Sequence, residues 1–512
     1  MFRARRPGAS AAKAASPPLQ VLSRGLAALS TLLALGAAAV AQPRPCLVAY
    51  EVAVPLPGRP DNSDVRAQLL AADGSLPWGP AGIPVAAGGD YERRPCVVSD
   101  GAGGAVVVLE YKHGDGPRRG QVDLCAQRVS AEGKRLWNLG RPLALASTRY
   151  REHSAVAIGD GEGGVVVAYL VDVPAQDGHV HTGVCAQRID GHGRLRWQEG
   201  LRSVVLQEGD CRCADLSIAA SGDGGAYVAY RRVGTVAGGH TGGQIVLRRL
   251  SAAGNRDWEA VHPLGLTVSG ELETPRTPVL VAGPSGSVWV AFQAGPAAAG
   301  GVYACRVSQD GVIARDGLPL HLSAGLVGQV EAVRAVPDGA GGLLCAFGLL
   351  APGSPAKLHS ARIAADGHLP WAAVTPLLPG AGQSYRELSA LQGPQGSVTL
   401  ALTAPVHTRH EADQHRALAA QRVGPDGRPS WGSSPVEVTT PRDGSVLTPG
   451  LAPDGTGGVY VIYVLKTKYG RLAGDTGIFG LRLTAAGRRA WSAPAPVATG
   501  HGRETAPAVV SG

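Results

Sequence analysis

An all-β fold built from one repeated four-stranded unit is what this sequence predicts, on three observations. A Gly-rich turn followed by an apolar strand recurs along almost the whole chain. A second motif ending in Trp follows each copy. And 73 Gly and 38 Pro among 512 residues punctuate the chain so often that long 3.6-period stretches are hard to find.

The first motif reads "DGAGGAVVVLEY" (100–111) and returns as "DGEGGVVVAYL" (160–170), "SGDGGAYVAY" (221–230), "GPSGSVWVAF" (283–292), "DGAGGLLCAF" (338–347), "GPQGSVTLAL" (393–402) and "DGTGGVYVIY" (454–463). The second reads "AQRVSAEGKRLW" (126–137), with relatives ending near residues 197, 258, 315, 371, 431 and 491. An extra copy, "AQLLAADGSLPW", lies at 67–78. Each unit of about 55–62 residues parses as four short strands. An apolar strand leads into a tight Gly turn, where glycine tolerates positive φ. A second apolar strand, a variable loop, a third strand, another turn and a fourth strand follow. Four antiparallel strands repeated radially make a β-propeller. Near the start, "PCLVAYEV" (45–52) is a second strand with no first strand before it; "TAPAVVSG" (505–512) is a first strand with no second. The two halves complete one unit, so the expectation is an eight-bladed propeller closed by pairing of its C-terminal strand with the N-terminal blade. Closure would protect open sheet edges. An open solenoid is the competing fold.

Residues 1–41 read as a signal peptide and 42–512 as a single domain. Arg3, Arg5, Arg6, Lys13 and Arg24 precede or flank the apolar run at 26–40, and "AVA" stands before Gln42. A retained anchor is the alternative, and no later stretch is long and apolar enough to span a bilayer. The leader takes five of the 48 basic residues and none of the 40 acidic ones. What remains is nearly balanced, with no nucleic-acid footprint. Eight cysteines follow the leader: Cys46, Cys96, Cys125, Cys185, Cys211, Cys213, Cys305 and Cys345. An exported chain can pair them, but several sit in strand-like runs where buried free thiols are an equal reading.

Gly-x-x-x-Trp closes seven units, with Trp78, Trp137, Trp197, Trp258, Trp371, Trp431 and Trp491; the fifth has Gly311 and Arg315 instead. A large ring once per blade reads as core between blades, with substrate stacking as the alternative. Arg128, Arg188, Arg249, Arg306, Arg362, Arg422 and Arg482 stand five residues before the Gly, and Leu69 does so in the first unit. They read as a structural ladder, stacked on an aromatic or bridging to a neighbouring blade, with a polymer-binding belt as the alternative.

The D-G-x-G-G plus A-Q-R-x-x-x-x-G-x-x-x-W unit resembles repeats of secreted bacterial β-propeller proteins, mostly of unassigned function, over nearly all of residues 45–512. The Gly-x-x-x-Trp element is also similar to the tryptophan-docking motif of eight-bladed quinoprotein dehydrogenases and a related outer-membrane assembly lipoprotein. The Asp and Thr usual ahead of the Gly are mostly missing, and Arg212 separates Cys211 from Cys213 where those dehydrogenases have adjacent cysteines. Their calcium ligands and catalytic Asp match no position here. The resemblance therefore implies fold and export, and no cofactor.

The turns within each strand pair are short and uniform. The second-to-third-strand loops vary, as at 112–121, 171–183, 403–417 and 466–477, and they share one face with the connections between blades. Variable loops on a rigid scaffold carry binding. The connections recur with Tyr, Arg and Glu: Tyr91, Glu92 and Arg93; Tyr150, Arg151 and Glu152; Tyr385, Arg386 and Glu387; Arg503 and Glu504. These are the candidate binding residues, placed at the mouth of a central channel, where they suit sugar hydroxyls or charged peptides. The alternative is that the Arg–Glu pairs tie blades together. His407, His410, Glu411, Asp413 and His415, with His179 and His181, lack a diagnostic ligand spacing, so solvated histidines are expected and no metal. No catalytic motif stands out; "SPAK" (354–357) lacks supporting residues. The expectation is a monomeric, secreted or periplasmic, non-catalytic protein that binds a protein or glycan. A polysaccharide-acting glycosidase or lyase is the alternative, then a quinone-dependent dehydrogenase.

Overall fold

The Gly-rich turns shape the chain as the repeat requires. In "DGAGG" the Asp100 carboxylate accepts hydrogen bonds from the amides of Ala102 and Gly104, both at 2.8 Å. Gly103 takes φ +85°, and a Cβ placed on Gly104 would stand 2.2 Å from the Val129 carbonyl oxygen. Only glycine fits both places. In the computed structural model, which describes residues 41–175, 178–200, 202–235, 241–258, 267–268, 271–272, 275–295, 300–314, 319–351, 356–371, 375–376, 387–406, 415–441, 444–467, 474–500 and 503–512, such turns link antiparallel strands throughout.

Among the described residues the strands fall into eight runs of four, numbered here as units, apart from one two-stranded pair, Thr267–Val268 with Glu271–Leu272. Unit 1 has the order Ile83–Ala86, Ser63–Leu70, Cys46–Ala53 and Glu504–Ser511. Unit 2 comprises Tyr91–Ser99, Ala105–Lys112, Val122–Val129 and Leu143–Ala146. Units 3 (Arg151–Gly159 to Val204–Gln207) and 4 (Arg212–Ala220 to Arg256–Trp258) share an eight-stranded sheet, joined by one parallel pair, Thr182 with Arg212. Units 5 (Arg276–Ala282 to Leu320–His321) and 6 (Gln329–Pro337 to Thr375–Pro376) are separate four-stranded sheets. Units 7 (Leu388–Gln392 to Val436–Thr439) and 8 (Gly444–Pro453 to Ala495–Ala498) form a second eight-stranded sheet. The expected first-to-last pairing is present: Leu47 lies opposite Val510 and Ala49 opposite Ala508. No helix of the described residues is long and apolar enough to cross a membrane. The leader, except Ala41, lies outside the described residues.

The core sits between units. Alternate residues of each second strand face opposite neighbours, as strand geometry demands. Val107 and Leu109 pack with Leu47 and Val65 of unit 1, whereas Val106 and Val108 pack with Val165 and Val167 of unit 3. The same holds along the chain, and the cluster of Tyr460 and Ile462 includes Cys46 and Val48, joining unit 8 to unit 1. The first strand of each run touches that of the next, in order, and Glu504–Ser511 touches both Gly444–Pro453 and Tyr91–Ser99.

Trp and Arg tie each unit to the next. Trp137 donates from Nε1 to the Gly191 carbonyl at 3.1 Å, and its ring covers Gly193, where a Cβ would lie 2.8 Å from Trp137 Cγ. Trp78 covers Gly133, Trp197 Gly254, Trp258 Gly311, Trp371 Gly427, Trp431 Gly487 and Trp491 Gly74, each from one unit onto the next. Trp491 donates to Ala72, which carries the series from unit 8 back to unit 1. Trp137 and Trp197 are buried; the other five are half-buried. Arg315 lies outside the described residues. In unit 5 a different Trp crosses to the next unit: Trp289, on its second strand, donates to the Gly341 carbonyl in the Gly-rich turn of unit 6 at 3.1 Å, as Tyr227 of unit 4 does to Gly286 of unit 5.

The arginines bridge more than they stack. Arg128 pairs with Asp100 at 3.0 Å in its own unit and donates to the Gly191 carbonyl of the next. Arg362 repeats this with Asp338 and Pro425. Arg188 and Arg482 hold Asp160 and Asp454. Stacking occurs for Arg306 on Trp289 and Arg422 on Trp431.

Two outcomes are expected. Removing residues 503–512 leaves Cys46–Ala53 an open edge and exposes the unit 8–unit 1 core, so the truncated chain aggregates or melts at a much lower temperature. Unchanged melting and a single monomeric peak on gel filtration refute this. Gly487→Val forces a branched side chain into positive φ and against the Trp431 ring, costing about 2–4 kcal/mol. Denaturant unfolding beside the wild type measures it, and an unchanged midpoint refutes it.

Candidate ligand-binding cleft

The connections between units bring the sequence-selected residues to one end of each run's first strand. Glu92, Glu152 and Glu504 are buried there, each with Oε2 lacking a hydrogen-bond partner. Glu152 Oε1 accepts from the Thr148 amide at 3.2 Å and from its hydroxyl, and Glu504 Oε1 from the Gly500 amide at 2.8 Å. Glu92 and Glu504 are enclosed by their own connections instead of open at a rim. Glu387 ties units instead, accepting from the Thr448 amide of unit 8 and pairing with Arg416 at 3.5 Å. Arg93 pairs with Glu110 at 3.2 Å, Arg151 with Asp172 at 3.1 Å, and Lys112 sits over the Tyr91 ring. Arg503 is exposed, and its carbonyl accepts from the Ala53 amide. Tyr385 and Arg386 lie outside the described residues, as do residues 407–414. Among the described residues no group of three or more His, Cys, Asp or Glu gathers as a metal site.

Two residues later the first strands bulge. Arg94, Ser154, Asp215, Thr277, Thr448 and Ala506 take φ between +47° and +55°. Carboxylates of the preceding unit receive several of the displaced amides: Glu51 that of Arg94 (3.3 Å), Glu110 that of Ser154 (3.1 Å) and Asp215 that of Thr277 (3.3 Å). Sequence reading missed Glu51, Glu110 and Asp215. A charge set within the apolar runs "LVAYEVA" and "VVVLEYK" was the available signal for the first two.

Tyr150 and Glu152 meet at a cleft of about 810 Å³ between units 2 and 3, a size usual for small-ligand sites. Its walls are mainly apolar, from Leu145, Val171, Val173, Leu195 and Val205, with the Tyr150 and Tyr169 rings. Polar groups converge on it. Tyr169 donates to Ser203 Oγ at 2.6 Å, and Gln187, buried, is held by the Arg202 carbonyl at 2.9 Å. Arg149 lies over the Tyr150 ring and donates to its hydroxyl at 2.8 Å, which sets the ring's position. Burial raises the Glu152 carboxyl above its usual range; the Thr148 hydroxyl opposes this and the Asp123 charge adds to it. Burial, then the Glu152 charge, pushes the Cys185 thiol up to about 12, so it is inert at neutral pH. Glu208 and Asp210 line the outer part of the cleft and are exposed. The variable second-to-third-strand loop contributes Pro174, Ala175 and His181. What sequence could not show is that one connection, among several alike, faces a cleft of this size.

No family model matches the chain, the secreted-repeat resemblance included, and no curated protein matches it. Solved structures do. A protein of unknown function from Dyadobacter fermentans is 14% identical, over 65% of this chain and 94% of that one, with a TM-score of 0.39. An alpha-L-arabinofuranosidase from Lactobacillus brevis is 13% identical, over 57% and 97%, with a TM-score of 0.31. A B. megaterium levansucrase mutant is 11% identical, over 69% and 84%, with a TM-score of 0.30. The named enzymes are of the class in the sequence's alternative reading, not its first. Superpositions this loose carry no argument about activity.

Burial, then Asp64 and Asp90, pushes the Glu92 carboxyl up to about 8. An unfolded glutamate titrates near 4.3. The stabilisation from its proton is therefore complete below about 4.3 and is lost as pH rises towards about 8. Glu92→Gln removes this dependence. Relative to the wild type, the variant gains on the order of 5 kcal/mol between about pH 4 and pH 9, at about 1.4 kcal/mol for each unit of pKa. Melting of both proteins across that range tests it, and parallel curves refute it.

Proposed function

We propose that this protein is an exported eight-bladed β-propeller, closed by its last strand on its first, that binds a glycan in the cleft between units 2 and 3. The cyclic order of first strands and the unit 8–unit 1 core support the closed eight-bladed reading. The leader at 1–41 supports export to the periplasm or the medium, and the propeller acts there as a monomer. One observation carries the ligand reading: apolar and tyrosine walls surround the buried Glu152 carboxyl, whose Oε2 has no partner. A sugar ring offers an apolar face to a tyrosine and hydroxyls to a carboxyl and to the Ser203, Gln187 and Gln207 groups. An unpaired buried oxygen gains most from such a partner, because leaving it unmade costs about 1–3 kcal/mol. A purely apolar ligand would leave that oxygen unsatisfied.

Turnover is the second reading, and one feature favours it. Glu152, held protonated more readily than an ordinary glutamate, shares the cleft lining with Glu208. Glycoside hydrolysis uses two carboxyl groups, one of them an acid of raised pKa. Binding needs only Glu152.

Calorimetric titration of the chain from Gln42 onwards, guided by a glycan array, tests the proposal. The expected result is saturable binding that Tyr150→Ala weakens at least tenfold, about 1.4 kcal/mol, and that Glu152→Gln also weakens, with both variants melting like the wild type. Release of new reducing ends or unsaturated sugars, lost in Glu152→Gln, selects the enzymatic reading. Binding unaffected by Tyr150→Ala, or no glycan bound at all, overturns the assignment to this cleft.

A further inference from the structure

Cys211 and Cys213 lie where unit 3 hands over to unit 4, and their sulfurs stand 4.0 Å apart. Both are buried in the core of units 3 and 4, beside Leu206 and Tyr230. Their backbone is pinned on both sides. The Cys211 carbonyl accepts from the Thr182 amide at 2.9 Å, and the Cys211 amide donates to the Gly209 carbonyl at 2.8 Å. Arg212 pairs with Thr182 on one side and Val233 on the other, and Cys213 lies opposite Arg232. This pairing holds both Cα atoms in place on one strand, two residues apart, so both side chains leave the same face of the sheet.

We propose that Cys211 and Cys213 form a two-thiolate site for a soft monovalent d10 cation, of which Cu(I) is the prototype. Metal–thiolate bonds of about 2.3 Å reach across up to roughly 4.6 Å, so the gap suits one bridging ion. A disulfide suits it less. Residues two apart on an extended segment have Cα atoms about 6.6 Å apart, at the upper edge of the roughly 4.4–6.8 Å that disulfides span. Closure would have to shift a backbone held by pairing on both flanks. Zinc fits poorly as well. It takes four ligands in structural sites, and among the described residues no third His, Cys, Asp or Glu joins the pair. Soft thiolates with low coordination number select Cu(I). Charge agrees. Two thiolates and one monovalent ion leave a single negative charge, and the Arg232 guanidinium opposite Cys213 supplies the counter-charge. Loading forms two sulfur–metal bonds and releases two thiol protons to solvent, with no change of oxidation state.

The test is anaerobic titration of reduced, metal-free protein against Cu(I) held by a bicinchoninate-type chelator. The expected result is withdrawal of one equivalent per chain with a near-ultraviolet thiolate-to-copper band. Cys211→Ser and Cys213→Ser each weaken it at least tenfold, and Cys305→Ser, in unit 5, leaves it unchanged. If a variant melts early, alkylation footprinting of the wild type takes its place: Cu(I) then protects Cys211 and Cys213 and leaves other cysteines as they were. No copper withdrawn, equal binding by the Cys211 and Cys213 variants, or protection confined to other cysteines overturns the proposal. So does a wild-type pair that binds no Cu(I) after reduction but closes to a disulfide in air.

Discussion

A tryptophan ring laid over a glycine of the next unit is the contact on which the rest depends. It works only because that glycine has positive φ and no side chain, so the ring approaches the backbone directly. The indole N–H then finds the carbonyl two residues earlier, as Trp137 finds Gly191 and Trp491 finds Ala72. Orientation and distance between units are set together by one side chain. Arg128 and its equivalents reinforce the same joint, since the guanidinium holds a turn Asp of its own unit while donating across the gap. Breaking such a partly buried pair strands the carboxylate, which is why the Asp, Arg and Trp recur as a set.

With these joints fixed, the first strands meet a different constraint. Each run's first strand crowds its neighbours, and most of these strands bulge at the same level. The bulge leaves an amide unpaired by its own sheet, and an unpaired buried amide is costly. Glu51, Glu110, Asp215 and Glu387 answer it from the preceding unit. Acidic side chains at this level are thus structural where they receive an amide. Glu92, Glu152 and Glu504 differ, because one oxygen of each receives nothing from the protein. Of these three, it is the lining of the cleft that sets Glu152 apart.

Much of the fold was legible because a repeat multiplies every local signal. Asp-Gly-x-Gly-Gly encodes a turn through Asp side-chain hydrogen bonds and glycine φ, both local properties. The half-units at 45–52 and 505–512 encoded the pairing of Cys46–Ala53 with Glu504–Ser511, because a strand lacking its partner has to find one. The contact of Trp289 with the Gly341 carbonyl of unit 6 was not legible, because only the fold brings a second-strand side chain to the turn of the next unit.

The site divides the same way. Sequence by itself determined the all-β repeat, the joints between units and the connections that carry Tyr, Arg and Glu, since these follow from spacing and local chemistry. Only the tertiary structure decided that Glu387 ties units 7 and 8 while Glu152 lies beside a cleft, that Glu92 and Glu504 are enclosed, and that Cys211 and Cys213 hold their sulfurs 4.0 Å apart. The physical reason is that burial and unpaired polar atoms depend on residues far away in the chain. Equivalent positions in a repeat share a backbone but not their neighbours.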